Sequence, residues 1–202
     1  MKIRILCLLL YWLLAAATVL PQAHADNSFN SFAGLRRGDT VKSVKNKYGD
    51  TKKEISPPVW EKGEGTVQPE TFDLKYLHGA FVVTYDRATS KIVTIKVSLP
   101  EGDEASVANW LQVGSSAPLP VLRRSLLAKF AKFGIQDPNL DLLLKPVAQL
   151  ESRFGEDNLN RYHGGDLEYV PTDYTIVLFE ISTLVASPKD EVVTGIEINW
   201  SY

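Results

Sequence analysis

The chain has 202 residues and a nearly balanced charge, with 22 Lys plus Arg against 24 Asp plus Glu. It has no tract of basic residues, which argues against a nucleic-acid partner. Its length suffices for one well-packed domain or two small ones.

The first 25 residues have the three parts of a secretory signal peptide. Lys2 and Arg4 precede an apolar run, and small residues occupy the cleavage positions in Ala23-His24-Ala25. The apolar run is shorter than the ~20 residues that a membrane-spanning helix needs. We therefore predict cleavage before Asp26, export to the periplasm, and no transmembrane segment after cleavage.

Cleavage would also change the composition of the chain. The only cysteine, Cys7, would leave with the signal peptide, so the mature chain would have no disulfide, thiol nucleophile or cysteine metal site. Loss of Lys2 and Arg4 would leave 20 basic against 24 acidic residues, a net charge of about −4.

The first predicted helix lies in residues 38–50, GDTVKSVKNKYGD. Asp39 or Thr40 is the expected N-cap, and Gly49 is expected to end the helix. The apolar side chains between them share one face of a helix: Val41, Val44 and Tyr48.

A polar loop rich in proline and glycine follows at residues 56–70, and it contains Trp60. A tryptophan between prolines and charged residues is typical of an anchor in a protein interface. We predict that Trp60 binds a partner; the alternative is that its ring folds back onto its own sheet.

Three runs with alternating apolar residues come next, at residues 72–77, 80–86 and 91–99, and they predict an antiparallel meander. The alternation directs Lys75 and Lys96 outward, as it does Glu197 in the last run of the chain, and solvation is the simplest role for these three. An acidic stretch without an apolar stripe, residues 100–108, predicts a boundary between units 26–105 and 106–202, with Trp110 packed at the join.

The second unit repeats the pattern of the first. An additional helix is predicted before Gly134, and residues 144–156, LKPVAQLESRFGE, then place Val147, Leu150 and Phe154 at the spacing of Val41, Val44 and Tyr48. Three strand-like runs follow. Tyr162 and His163 precede them, at the position that corresponds to the Trp60 loop, and are further predicted partner-binding residues.

These patterns predict an α+β fold of two tandem units, each with one or two helices packed on an antiparallel β-sheet meander. Two such sheets side by side would present a concave face to a partner.

The residues Gly38, Thr40, Val44, Tyr48 and Gly49 resemble the helix motif of the SmpA/OmlA outer-membrane assembly lipoproteins. The tandem arrangement in an exported chain resembles the beta-lactamase-inhibitor-protein family. The first resemblance implies a role in envelope assembly, and the second implies inhibition by protein binding.

The function predicted from the sequence is therefore a non-enzymatic, periplasmic protein-binding module without cofactor or metal, either inhibitor- or immunity-like or an envelope-assembly accessory. The alternative is a small periplasmic hydrolase or ligand carrier that uses His78 and His163, the two histidines that would remain after cleavage.

Overall fold

The structure, a computed structural model, describes residues 29–51, 53–56, 71–161, 165–184, 187 and 189–201. The predicted signal peptide, Trp60, Tyr162 and His163 lie outside the described residues.

Four helices and ten strands make up this part of the chain. The helices are α1 (Val41–Tyr48), α2 (Glu104–Leu111), α3 (Leu119–Phe133) and α4 (Val147–Phe154). The strands are β1 (Ser31–Phe32), β2 (Leu35–Arg36), β3 (Lys53–Ser56), β4 (Thr71–Tyr76), β5 (Phe81–Asp86), β6 (Ile92–Ser98), β7 (Leu159–Arg161), β8 (Leu167–Thr172), β9 (Thr175–Thr183) and β10 (Glu191–Trp200). The predicted α+β class is confirmed.

Eight of the strands form one antiparallel sheet in the order β3-β4-β5-β6-β10-β9-β8-β7, and β1 and β2 pair separately as a small hairpin. Each half of the sheet is a four-stranded meander that follows one short helix. The halves join where β6 pairs with β10, with Ile95 opposite Ile198 and Val97 opposite Ile196.

The two halves also share details of their backbone. Gly38 and Leu144, three residues before α1 and α4 respectively, both have positive φ, +87° and +57°. Thr40 bridges Lys91 before β6, and the corresponding Pro146 bridges Val192 in β10. The repeat therefore extends to the hydrogen bonds that attach each helix to its own last strand.

One continuous core lies between the helices and the inward face of the sheet. The helices contribute buried side chains to it, among them Val44, Leu111, Phe130 and Leu150. Tyr48 in the first half and Phe154 in the second half occupy corresponding places, with ring centroids 5.0 Å from Phe81 and 5.6 Å from Phe179 respectively.

The first residues of the described chain cross to the second half. Phe29 is buried, its ring lies 6.1 Å from Phe154 and 6.2 Å from Tyr169, and its carbonyl accepts a hydrogen bond of 3.1 Å from the Trp200 indole. Asp137 also accepts from the backbone N–H of Ala33 in the β1–β2 turn. These contacts link the two halves beyond the strand pairing.

Several expectations from the sequence need correction. The two predicted sheets are one sheet, because β6 and β10 pair directly. The acidic stretch does not lack regular structure, because its second part begins helix α2 at Glu104. This helix crosses the predicted boundary at residues 105/106, and the boundary itself stays a prediction. Strands β3 and β7, which alternation did not indicate, add an outer strand to each half.

The capping prediction for α1 was partly wrong. Thr40 is the N-cap residue, but its hydroxyl makes no capping hydrogen bond and lies 3.4 Å from the Ser43 hydroxyl. Asp39 instead accepts from the N–H of Arg36 at 2.8 Å. Gly49 ends the helix as predicted, with φ +83° and ψ 177°.

Candidate binding surfaces

The face of the sheet opposite the core, called here the outward face, carries two rows of side chains that cross both halves. Alternation in each strand produces the rows, because successive residues point to opposite faces. The register gives one row from β4 to β7 and a second from β4 to β9: Lys75, Val82, Lys96, Glu197, Leu178, Glu168 and Asn160, then Asp73, Thr84, Thr94, Asn199 and Ile176.

Hydrogen bonds connect neighbouring strands along the second row. The Thr84 hydroxyl donates to Asp73 at 2.6 Å, and the Thr94 hydroxyl donates to the Asn199 side-chain oxygen at 2.7 Å across the junction of the halves. The Asn199 amide then donates to Glu197 at 3.0 Å. These bonds fix the side-chain rotamers, so this part of the outward face is preorganised.

A charged pair lies beside this row, at the centre of the sheet. Lys96 on β6 forms an ion pair with Glu180 on β9, across the intervening strand β10. Glu180 lies opposite Gly195 of β10, and a Cβ atom at Gly195 would overlap the Glu180 carboxylate, so the glycine leaves room for this carboxylate to lie over β10. Both side chains keep 32% of their surface exposed, so a partner could contact them.

Aliphatic side chains interrupt the polar ones on the same face. Val82 lies between Lys75 and Lys96, and Leu178 lies between Glu197 and Glu168. All six side chains are half-buried by their neighbours. Partly exposed apolar groups among fixed polar groups are typical of protein-binding surfaces.

His78 lies in a separate, shallow pocket at the end of β4. It belongs to the 3-10 turn Leu77–Gly79, and both Leu77 and His78 have positive φ, +52° and +57°. Left-handed non-glycine residues are strained and occur frequently at functional sites. The pocket is about 340 Å³ and is lined by His78, Pro100, Glu101, Ser106, Asn109 and Trp110.

Trp110 forms one wall of this pocket. Its ring lies edge-on to the His78 ring at 6.4 Å, and the Lys129 ammonium lies 4.9 Å from the indole centroid. Trp110 thus packs against the core and borders the pocket, and its place at a join between two units stays a prediction. Glu101 binds the turn through its N–H, 3.4 Å from the His78 carbonyl, and its carboxylate lies 3.3 Å from Lys75.

The structure does not describe the three residues predicted to bind a partner, Trp60, Tyr162 and His163. The strands beside them can be located: residues 57–70 connect β3 to β4 and residues 162–164 connect β7 to β8. The pair β3–β4 lies at one edge of the sheet and the pair β7–β8 at the other edge. Because all neighbouring strands are antiparallel, the β3–β4 and β7–β8 connections also lie at opposite ends of the strands. His78 and the segment with His163 therefore belong to different halves.

The alternation in the sequence correctly predicted that Lys75, Lys96 and Glu197 point outward. It gave them no role beyond solvation, and it did not predict which residues of the neighbouring strands lie beside them. The signal for the outward face was the polar half of the alternation in every strand. That signal gives no register, so the hydrogen-bonded rows could not be derived from it.

The described residues contain no group of three or more His, Cys, Asp or Glu side chains arranged to hold a metal ion. None of their helices combines the length and the apolar character needed to cross a bilayer.

No family model matches the chain, and no curated protein or solved structure is significantly similar to it. The resemblance to the SmpA/OmlA and beta-lactamase-inhibitor-protein families therefore stays a prediction that rests on the helix motif and the tandem order.

Proposed function

We propose that this chain is an exported, non-enzymatic module that binds another protein through the outward face of its sheet. The observation that carries the proposal is the extent of that face. Eight strands at ~4.8 Å spacing give a width of ~34 Å, and six residues along a strand give ~20 Å. The resulting area of roughly 700 Å² is close to the ~800 Å² that each partner buries in a standard protein interface.

The composition of the face indicates the partner's chemistry. Among the described side chains of the two rows and Glu180 beside them, acidic groups outnumber basic ones: Asp73, Glu168, Glu180 and Glu197 against Lys75 and Lys96. A partner with an apolar patch bordered by Lys or Arg would complement this surface. The predicted signal peptide places the encounter in the periplasm or at the envelope, and both an inhibitory and an assembly role fit such a partner.

Site-specific photo-crosslinking in the periplasm tests this proposal. A photoreactive residue at Leu178 or Ile176 should give a discrete adduct with one protein, because both positions lie on the outward face. Val121 on α3, which is 37% exposed, is the matched control on the helix side. Adding Glu197→Lys should reduce the yield of the adduct, because it replaces an acidic group of the outward face with a basic one that repels the partner's Lys or Arg.

The proposal fails if the outward positions give no adduct, or if Val121 gives the same adduct in the same yield. An adduct that is specific to the outward positions but insensitive to Glu197→Lys would contradict the electrostatic part alone.

A second candidate function, ligand binding or hydrolysis, is favoured by one observation: His78, Glu101 and Ser106 line the same pocket. His78→Asn is the informative variant, since Asn tolerates positive φ and thus separates the imidazole from the backbone turn. Loss of an esterase or phosphatase activity in His78→Asn, with an unchanged melting temperature, would support this candidate. The absence of any such activity in the wild-type protein would eliminate its hydrolase form.

A further inference from the structure

A cavity of about 280 Å³ lies beside α2 and α3, on the helix side of the sheet and away from the outward face. Its base is made of Ala108 and Leu111 on α2 and of Leu144, all of which are at most 5% exposed. Leu144 has positive φ, so the backbone at the base adopts a conformation that favours glycine and yet carries a large apolar side chain.

The rim of the cavity differs in character from its base. Glu104, Ser115 and Ser116 line the rim and are exposed to solvent. A buried apolar base offers few hydrogen bonds to water, so water gains little by filling it. An apolar base with a few polar groups at the entrance is the usual construction of a small-molecule site.

The volume of the cavity limits the size of the ligand. An apolar cavity of ~150 Å³ holds one benzene molecule, which has six carbons. By proportion, a cavity of 280 Å³ holds a chain of roughly ten carbons. It is thus too small for a phospholipid with two acyl chains or for a peptide of several residues.

The charge at the rim selects the polar end of the ligand. Glu104 lines the rim, and Asp103 precedes it as the N-cap of α2, where it accepts from the Ser106 N–H at 2.8 Å. The Ser106 hydroxyl and N–H hold the Asp103 pKa below its usual value, so this carboxylate is ionised at neutral pH. Two adjacent carboxylates repel an anionic head group, whereas the hydroxyls of Ser115 and Ser116 can hydrogen-bond a neutral one.

We propose that this cavity binds a single-chain aliphatic alcohol of about ten carbons, or an uncharged amphiphile of the same form. The site is independent of the proposed protein-binding face, so either can exist without the other.

Isothermal titration calorimetry of the purified protein with 1-hexanol, 1-octanol and 1-decanol tests this inference. Affinity should rise about fourfold per added methylene, the increment for burial of one CH₂ group, with one molecule bound per chain. Decanoate should bind at least tenfold more weakly than 1-decanol because of the carboxylates at the rim. No binding by any alcohol, or equal binding by decanoate, would overturn the proposal.

Variants locate the site. Ala108→Leu should fill the base of the cavity and reduce the affinity for 1-decanol at least tenfold without lowering the melting temperature. If Ala108→Leu fails to fold, Ala117→Leu at another lining position gives the same test. Val121→Leu on the same helix as the lining residue Leu122, and Leu178→Glu on the outward face, should bind like the wild type. Unchanged affinity in folded Ala108→Leu and Ala117→Leu proteins would place the ligand elsewhere and refute the assignment.

Discussion

Single side chains around the β1–β2 turn connect several parts of the fold. The hydroxyl of Tyr48 donates to the Ala33 carbonyl, and the Lys47 ammonium donates to the Gly34 carbonyl at 2.9 Å. Asp137 accepts from the Ala33 N–H, and burial raises the pKa of this carboxyl despite that hydrogen bond and those from Asn139. The turn is thus held by partners from α1 and from the segment after α3.

Ionisation of Tyr48 makes the free energy of unfolding depend on pH in the alkaline range. Burial, together with the nearby charge of Asp137, raises its pKa to about 12. Between pH 10 and 12 the unfolded chain loses the phenolic proton while the folded chain keeps it, so the free energy of unfolding falls as pH rises. The loss from this group should reach roughly 2–3 kcal/mol by pH 12 and be absent below pH 10.

Urea unfolding of wild type and Tyr48→Phe from pH 8 to pH 11 measures this effect. The variant should be less stable by about 1 kcal/mol at pH 8, because it loses the hydrogen bond to Ala33. The difference should shrink as pH rises, since only the wild type carries the penalty. A difference that does not change with pH would contradict the assigned pKa.

Gly49 is the second residue whose role can be isolated. Its φ of +83° with ψ of 177° lies in a region that is almost restricted to glycine. A Cβ atom there would meet nothing within 4 Å, so Gly49→Ala tests backbone strain alone and should cost about 1–3 kcal/mol.

Gly114→Ala is the matched control for that change. A Cβ at Gly114 also meets nothing within 4 Å, and its φ is not positive. Its free energy of unfolding should change by less than ~0.5 kcal/mol in denaturant titrations. Equal effects at Gly49 and Gly114 would show that positive φ is not what ends α1.

At the scale of secondary-structure elements, each short helix packs on its own half of the sheet and is tied to the last strand of that half. The N–H of Val41 donates to Ser90 at 3.1 Å, and the N–H of Leu144 donates to Val193 at 2.7 Å. Helices of eight residues are marginal alone, so these ties and the buried apolar stripe stabilise them.

The loop between β3 and β4 contains Trp60, which we predict to bind a partner. We expect Trp60→Ala to leave the melting temperature nearly unchanged and to weaken partner binding by ~2 kcal/mol or more, as truncation of an interface anchor does. Thermal unfolding and a binding titration with the crosslinked partner measure the two effects.

Val44→Ala is the control for Trp60→Ala, because Val44 is fully buried on the α1 stripe. It should lower stability by about 2 kcal/mol and leave binding unchanged. A loss of ~3–5 kcal/mol of stability in Trp60→Ala would instead mean that the indole packs in the protein core.

For the whole molecule, the single sheet and the crossing of Phe29 make the two halves interdependent. Phe29 precedes the first half in the chain and packs on Phe154 and Tyr169 of the second half. Phe29→Ala should therefore cost about 3–5 kcal/mol, although the residue is close to the start of the predicted mature chain.

The cooperativity of unfolding tests whether the two halves depend on each other. Wild-type unfolding followed by far-UV circular dichroism and by tryptophan fluorescence should give coincident curves, as expected of one cooperative unit. Phe29→Leu, which retains most of the apolar volume, should cost less than Phe29→Ala. Separate transitions for the two probes in the wild type would show that the halves unfold independently.

The sequence alone determined the features that depend on local periodicity. The stripes of α1 and α4, the glycine that ends each of them, and the alternation in β4, β5, β6, β9 and β10 all follow from one-sided burial, which leaves a repeating pattern in the chain. The tandem order of helix and meander could be predicted for the same reason.

Only the tertiary structure decided the features that depend on distant partners. Strands β3 and β7 have four and three residues, too few to show an alternation, and they exist because β4 and β8 offer an edge to pair with. Helix α2 has an acidic first turn, and its apolar residues Ala108 and Leu111 are buried. The pairing of β6 with β10 joined the halves into one sheet and thereby created the rows of the outward face. The sequence of either strand could not predict this pairing, because the register relates residues about a hundred positions apart.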